Sequence, residues 1–196
     1  MLSALCAAGV NLAYALFNGG LGLWYRSWWF GALAAFYAVL ALLRLWAMGL
    51  DRRGRGAAAL QPVGLGMFAL AVVLSGMVLL TIRERQNPAH PQVVMLAIAT
   101  YTFAAVGWTV ASAVRDRRTP SPSRLALRSL SCAGAIGSVL SLERSMLGTY
   151  GDAAGAFALR TERLSGAAAF LLLVLLGLGL LRRSQVGQGG KGPDGG

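Results

Sequence analysis

Charged side chains are scarce in this sequence, at 13% of 196 residues, against about 25% in an ordinary soluble domain. Acidic residues are fewest: seven Asp and Glu stand against eighteen Lys and Arg, with a single histidine. His90 sits beside a proline with no HExxH pattern around it, and Gly137-Ser138 lacks a surrounding GxSxG. Cysteine is nearly missing too. Cys6 and Cys132 lie within apolar segments and form no CxxC, so neither a disulfide framework nor a zinc site is supported. No catalytic residue, metal or cofactor is expected, and the chain does not read as an enzyme.

What the sequence has in excess is apolar side chain, 56% of the whole. A soluble fold of this size cannot bury that much, so the surplus must meet lipid. The formal charge of +11 invites a nucleic-acid reading, because clustered basic residues neutralise phosphates. Position argues against it. All but one of the basic residues are Arg, set in short runs between apolar stretches, such as Arg52-Arg53-Gly54-Arg55 and Arg115-Asp116-Arg117-Arg118. Such runs are orientation signals of a polytopic membrane protein, and the expected partner is the lipid bilayer rather than nucleic acid.

Crossing a hydrocarbon core of about 30 Å takes roughly 20 mainly apolar residues. Six stretches qualify, at 2–23, 28–48, 60–82, 92–114, 125–147 and 164–181. The expected fold is therefore an all-α transmembrane bundle of about six spans over residues 1–184, followed by a disordered cytoplasmic tail at 185–196. Gly54-Arg55-Gly56, Asn87-Pro88-Ala89-His90-Pro91, Thr119-Pro120-Ser121-Pro122-Ser123 and a loop over 148–155 separate the spans. Proline ends helices, and Ser123 is placed to cap the fifth. The opening Met1-Leu2-Ser3-Ala4-Leu5-Cys6 lacks the basic region and the small residue before cysteine that a lipoprotein signal needs. The first stretch is expected to be a retained helix at a clipped start.

Aromatic anchors mark one surface. Trp24, Tyr25, Trp28 and Trp29 flank Arg26 at the tip of the first hairpin, where indole and phenol rings favour the headgroup layer. A cage for a cationic ligand is the functional alternative. Three spans precede the middle loop and three follow, so any internal repeat is an inverted one, with Tyr14-Ala15-Leu16-Phe17 matching Tyr101-Thr102-Phe103.

Polar residues inside the spans are the candidate site. Asn11, Tyr14 and Asn18 share one face of the first helix, and Thr102, Thr109 and Ser112 form a similar stripe on the fourth. They are either interhelical hydrogen-bonding groups or the lining of a solute path. Arg44 and Arg128 can snorkel to the nearer membrane surface, although Tyr37, seven residues before Arg44, allows it to face inward. Glu143 and Arg144 are the sharpest anomaly. The uncharged stretch from Ser129 to Leu142 holds fourteen residues, too few to cross the core, so the pair lies at or inside the outer boundary. Neighbours on a helix point apart. Glu143 is expected to meet Arg26, Arg83 or Arg85, and Arg144 the polar groups of the first helix, in a gate or a proton- or ion-coupled site. Glycine pairs such as Gly64-Leu65-Gly66 and Gly177-Leu178-Gly179 allow close helix approach.

The runs Asn11-Leu12-Ala13-Tyr14-Ala15-Leu16-Phe17-Asn18, Trp24-Tyr25-Arg26-Ser27-Trp28-Trp29-Phe30, Ala99-Thr100-Tyr101-Thr102-Phe103 and Leu142-Glu143-Arg144-Ser145-Met146-Leu147 together make a sequence that resembles small uncharacterised multi-pass membrane proteins of Gram-positive bacteria. The resemblance implies a bacterial plasma-membrane location and a basic N-terminal extension that this chain lacks. It brings no activity, substrate or catalytic residue. Asp152-Ala153-Ala154-Gly155 with Arg160 resembles a phosphatidyltransferase metal motif but lacks the further aspartates of a two-metal site. The leading expectation is a transporter or channel-like protein for an ion or small solute. Six helices leave little room for a private path, so a homo-oligomer is expected. The alternative is a non-transporting membrane subunit for partner binding, sensing or assembly.

Alternate loops carry ten and five basic residues, with Arg44, Arg128 and Arg144 inside spans. Because Lys and Arg concentrate on the cytoplasmic side, both termini are expected inside. A single cysteine at position 53, in a chain whose Cys6 and Cys132 are replaced by Ala, should resist membrane-impermeant maleimide in intact cells and react after permeabilisation. Labelling in intact cells would invert the topology.

Overall fold

The computed structural model describes residues 2–83, 92–115, 121–150 and 156–189. The expected turn at 87–91, the residues Arg85, Arg117, Arg118 and Lys191, and the chain beyond 189 lie outside them. Six helices follow one another: α1 (Leu2–Tyr25), α2 (Trp28–Arg52), α3 (Leu60–Arg83), α4 (Gln92–Arg115), α5 (Pro122–Tyr150) and α6 (Ala156–Gly189). A 3-10 turn at Gly56–Ala59 joins α2 to α3, and no strand occurs among the described residues. Five helices are long and apolar enough to cross a membrane, while α4 holds a shorter apolar run, Ile98–Ala111. This is the all-α bundle of a multi-pass membrane protein. Its outer face is apolar, with Leu16, Val72, Phe103 and Leu175 all strongly exposed, as a lipid-facing surface requires.

Both described turns on the α2 ends close by the same device. A residue in the left-handed region, Arg26 at φ 51° and Gly54 at φ 69°, lets the next N–H reach back five residues. Ser27 N–H donates to the Gly22 carbonyl at 3.1 Å, and Arg55 N–H to that of Leu50 at 2.9 Å, which is the Schellman closure. Glycine adopts this conformation freely, whereas Arg26 pays about 1–2 kcal/mol for it. The hairpin is tight enough that a Cβ on Gly22 would lie 3.0 Å from the Gly31 nitrogen.

Several helix ends depart from the sequence-based expectation: α2 runs on to Arg52 past the expected 48, and α5 to Tyr150, so residues 148–150 of the expected loop are helical. α5 begins at Pro122 rather than Leu125, because Ser121 precedes it and accepts the Arg124 N–H at 3.4 Å, with proline at the first helical position where its missing N–H costs nothing. Ser123, expected as the cap, is buried in the first turn instead. α6 starts at Ala156 and runs to Gly189. Its start precedes the apolar run by two turns, and residues 185–189, expected in the tail, continue the helix.

The helices α2, α3 and α5 form the centre; α1 packs on α2, α4 on α5, and α6 on α3 and α5. Phe30, Leu33, Phe36 and Leu40 of α2 and Val63, Met67, Leu70 and Leu74 of α3, all buried, belong to one core, with Phe36 and Leu40 also reaching Gly137 and Gly134 of α5. Exchanging the halves maps α1·α2 onto α4·α5 and α2·α3 onto α5·α6, and leaves α2·α5 and α3·α6 in place. Among the described residues, the α3·α5 packing and the contacts of the 3-10 turn have no comparable counterpart.

Helices α3 and α6 come close at a glycine pair. A Cβ on Gly177 would lie 3.1 Å from the Gly64 carbonyl oxygen, whereas one on Gly179 would meet nothing within 4 Å. Gly177→Ala should therefore destabilise the bundle by about 1–3 kcal/mol through overpacking. Gly179→Ala should be neutral or slightly stabilising, because alanine is the better helix former. Thermal unfolding of both variants in detergent micelles checks this, and equal melting points would refute the close crossing.

Candidate functional site

Arg44 does not snorkel. It is 5% exposed, and its Nη2 donates to Ser131 Oγ on α5 at 3.0 Å. Ser131 in turn donates to the Leu127 carbonyl at 3.1 Å. The guanidinium Nε has no acceptor, and no carboxylate pairs with Arg44 among the described residues. Beside it opens a cavity of about 190 Å3 bounded by α1, α2, α4 and α5, lined by Asn11, Arg44, Tyr101, Thr109 and Ser131 among apolar side chains. Asn11 is 5% exposed; its Oδ1 accepts from the Tyr101 hydroxyl at 3.2 Å, while its Nδ2 is unsatisfied.

Beside the cavity sits a three-tyrosine cluster. Tyr14 stacks on Tyr101 with centroids 3.8 Å apart and planes at 6°. Tyr37 meets both edge-on, at 4.7 Å and 5.5 Å, and its hydroxyl donates to the Gly134 carbonyl at 3.3 Å. The two edge-on pairs add about 0.5–1.5 kcal/mol each beyond burial. Asn18 closes the polar face of α1 locally, its Nδ2 donating to the Tyr14 carbonyl at 2.7 Å while its Oδ1 stays unpartnered. The three polar residues of α1 thus face inward, as their spacing demands.

The α4 stripe plays a different part. Thr102 shares its hydroxyl proton between the Ile98 carbonyl of its own helix at 2.8 Å and the Ser138 carbonyl of α5 at 3.0 Å. Thr109 does the same with Ala105 at 2.8 Å and Ser131 at 3.2 Å. Both bridge α4 to α5, and Thr109 also lines the cavity. The Ser112 side chain lies outside the described residues. Arg128 is half-buried, close to Cys132, and does not line the cavity.

At the opposite end of α5 the charged pair finds partners that differ from those expected. Glu143 Oε1 accepts from Ser165 Oγ of α6 at 2.9 Å, not from an arginine. Arg144 Nη1 lies 3.8 Å from Glu162 Oε1, also of α6, and its guanidinium covers the Trp29 ring at 4.2 Å, away from the polar groups of α1. Trp29 is consequently 9% exposed, while Trp24 and Trp28 are 83% and 75% exposed and Tyr25 37%. Three of the four aromatic residues occupy the surface expected of anchors. Trp29 packs inward because it follows Trp28 by one residue, about 100° round the helix.

Tyr101, Ser131, Glu162 and Ser165 are the site residues that sequence reasoning passed over. Ser131, Ser138 and Ser145 recur at seven-residue spacing on α5, a stripe that marks one buried face. Glu162 looks like a loop residue because the apolar run begins only at Leu164; the signal that α6 starts earlier is the Ala156-Phe157-Ala158-Leu159 segment.

Truncating one member of the Arg144–Glu162 pair leaves the other charge largely buried without a counterion. Arg144→Leu and Glu162→Leu should each cost about 1–3 kcal/mol, below the roughly 3–5 kcal/mol of deeply buried pairs because this one lies near a helix end. The double variant should recover much of the loss. Micelle unfolding of the four proteins measures the coupling, and strictly additive losses would show that the two side chains act independently. No protein-family model, no curated protein and no solved structure matches this chain, so the geometry of the two charged sites is what bears on its role.

Proposed function

We propose that this multi-pass membrane protein binds a small solute in the cavity at Arg44 and carries it across the bilayer. One observation supports this above the others: an ionised arginine, only 5% exposed, borders about 190 Å3 of open space with no carboxylate among the described residues to balance it. A charge inside a membrane-spanning segment is costly, up to roughly 2.5–3.5 kcal/mol at the bilayer centre on insertion scales and less toward the helix ends, and such residues mark substrate or ion pathways. The cavity lies within one copy of the chain, between α1 and α4, which do not pack along their lengths. A homo-oligomer then serves to support the helices rather than to complete the site. By its sequence resemblance we place the protein in a bacterial plasma membrane.

A second reading, a non-transporting membrane subunit, draws on the bridging role of Thr102 and Thr109. These hydroxyls are consumed in joining α4 to α5, so the stripes on α1 and α4 do not form two facing walls of a continuous path. Liposome flux separates the readings. Reconstituted wild-type protein should move at least one of a panel of small organic anions, inorganic ions and neutral solutes. Arg44→Leu should lower that rate at least tenfold, while Leu16→Ala, on the exposed side of α1, should leave it unchanged. A folded wild-type protein that moves nothing across the panel would leave the subunit reading standing.

A further inference from the structure

Three features compete for attention: the Glu143–Arg144–Glu162 group, the exposed tryptophans at the first hairpin, and the Arg44 cavity. The first is internally neutralised apart from one half-buried carboxylate, and the space beside it, about 20 Å3, is room for about one water and no larger ligand. The tryptophans project to the surface without enclosing a ligand. The cavity alone combines volume, charge and unmet hydrogen-bonding capacity.

That capacity has one sign. Arginine offers five donors and no acceptor; a single donation, from Nη2 to Ser131, is made, and Nε has no partner. The Asn11 acceptor is already taken by Tyr101, which leaves its amide hydrogens unmet. Ser131 spends its own proton on Leu127, so it adds no acceptor toward the guanidinium beyond the one in use. Water entering the space would satisfy donors but not the positive charge. What satisfies both is an acceptor-only anion, and guanidinium matches the planar oxygens of a carboxylate or phosphate especially well. The remaining lining, Val10, Ala104, Trp108 and Ala135 among it, is apolar and suits a body without hydrogen-bonding groups. An engineered cavity of about 150 Å3 accommodates benzene, so about 190 Å3 holds one ring or its aliphatic equivalent together with an oxyanion head.

We infer that the ligand of this cavity is a small amphiphilic monoanion, an oxyanion head held by Arg44 and Asn11 with an apolar body of about one ring against α1, α4 and α5. This rests on reading the cavity as the solute site of the proposed function. The weak packing of α1 against α4 gives the ligand a lateral way in from the apolar phase.

The test is calorimetric titration of the full-length protein in phosphatidylcholine nanodiscs, with empty nanodiscs as blank. Benzoate should bind at least tenfold more tightly than benzyl alcohol, and benzylammonium should not bind. Arg44→Gln should erase the preference for benzoate over benzyl alcohol, Arg44→Lys should keep part of it, and Ala135→Leu, which fills the cavity without touching the charge, should weaken both ligands. The last variant keeps the test decisive if Arg44→Gln does not fold. Equal affinity for benzoate and benzyl alcohol, equal competition by chloride, or benzoate binding untouched by Ala135→Leu would overturn the inference. Nanodiscs containing phosphatidylglycerol separate two sources of the anion: benzoate displaced by the lipid marks a lipid-borne head, and undiminished binding marks a free organic acid, both within the inferred chemistry. Benzoate binding without flux would sink the transport reading alone. Flux of another solute without benzoate binding would sink this inference alone.

Discussion

Hydrocarbon offers no hydrogen bonds, so every polar group of a membrane-embedded helix must be covered by another part of the protein, and α5 is the helix on which this bears hardest. Ser129, Ser131, Ser138, Ser141, Arg144 and Ser145 are all buried along its length. Four helices, α2, α3, α4 and α6, pack around it, and the joints between them run through its polar atoms. Tyr37 reaches the Gly134 carbonyl, Arg44 reaches Ser131, and Thr102 and Thr109 reach the carbonyls of Ser138 and Ser131. Glu143 and Arg144 meet Ser165 and Glu162 of α6. Bonds of this kind measure only about 0.6–1.7 kcal/mol each in membrane proteins. Their effect is to fix which helix lies beside α5 and in what register, while close packing, as at Gly64 and Gly177, supplies the bulk of the contact.

Covering α5 leaves α1 and α4 as the outer helices of their respective halves. Each leans on its own inner neighbour, α2 or α5, and the two meet chiefly through Tyr14 and Tyr101. These are the residues that the Tyr-Ala-Leu-Phe and Tyr-Thr-Phe runs bring into correspondence. Their rings stack nearly parallel. The contact pattern of the helices follows the same exchange except at α3·α5. The cavity sits beside this ring pair, between α1 and α4, with Tyr101 itself in its lining.

Much of this could be read from the sequence because lipid imposes strong patterns. Span length and apolar content located all six helices, and the i, i+3, i+7 spacing of Asn11, Tyr14 and Asn18 placed them correctly on the inner face of α1. The heptad step from Tyr37 to Arg44 carried the same message, although snorkelling offered an equally physical alternative that only the position of α5 decides. Less legible were the partners. Glu162 lies before the apolar run of α6, and hydropathy cannot tell a helical extension from a loop. Trp29 shares the composition of an interfacial belt with Trp24 and Trp28, and its inward turn depends on where α2 begins. The cavity itself had no signature, since it arises from the separation of two helices far apart in sequence.

The two buried arginines of the bundle differ in a way that decides where chemistry belongs. Arg144 is flanked by Glu162, capped by the Trp29 face and placed near a helix end. Its charge is answered by the protein itself, and its role is to seat α5 against α2 and α6. Arg44 has a neutral serine at one nitrogen and no carboxylate among the described residues, yet it is the more deeply enclosed. A protein that needed only a structural link at that point could join α2 to α5 with a threonine or a tyrosine, as it does at Thr102, Thr109 and Tyr37, without bearing the cost of an isolated charge. Retaining a guanidinium there, beside empty space and a half-satisfied asparagine, makes sense when something negative arrives to complete the site. Function is therefore to be sought first at Arg44 rather than at the more conspicuous Glu143–Arg144 pair.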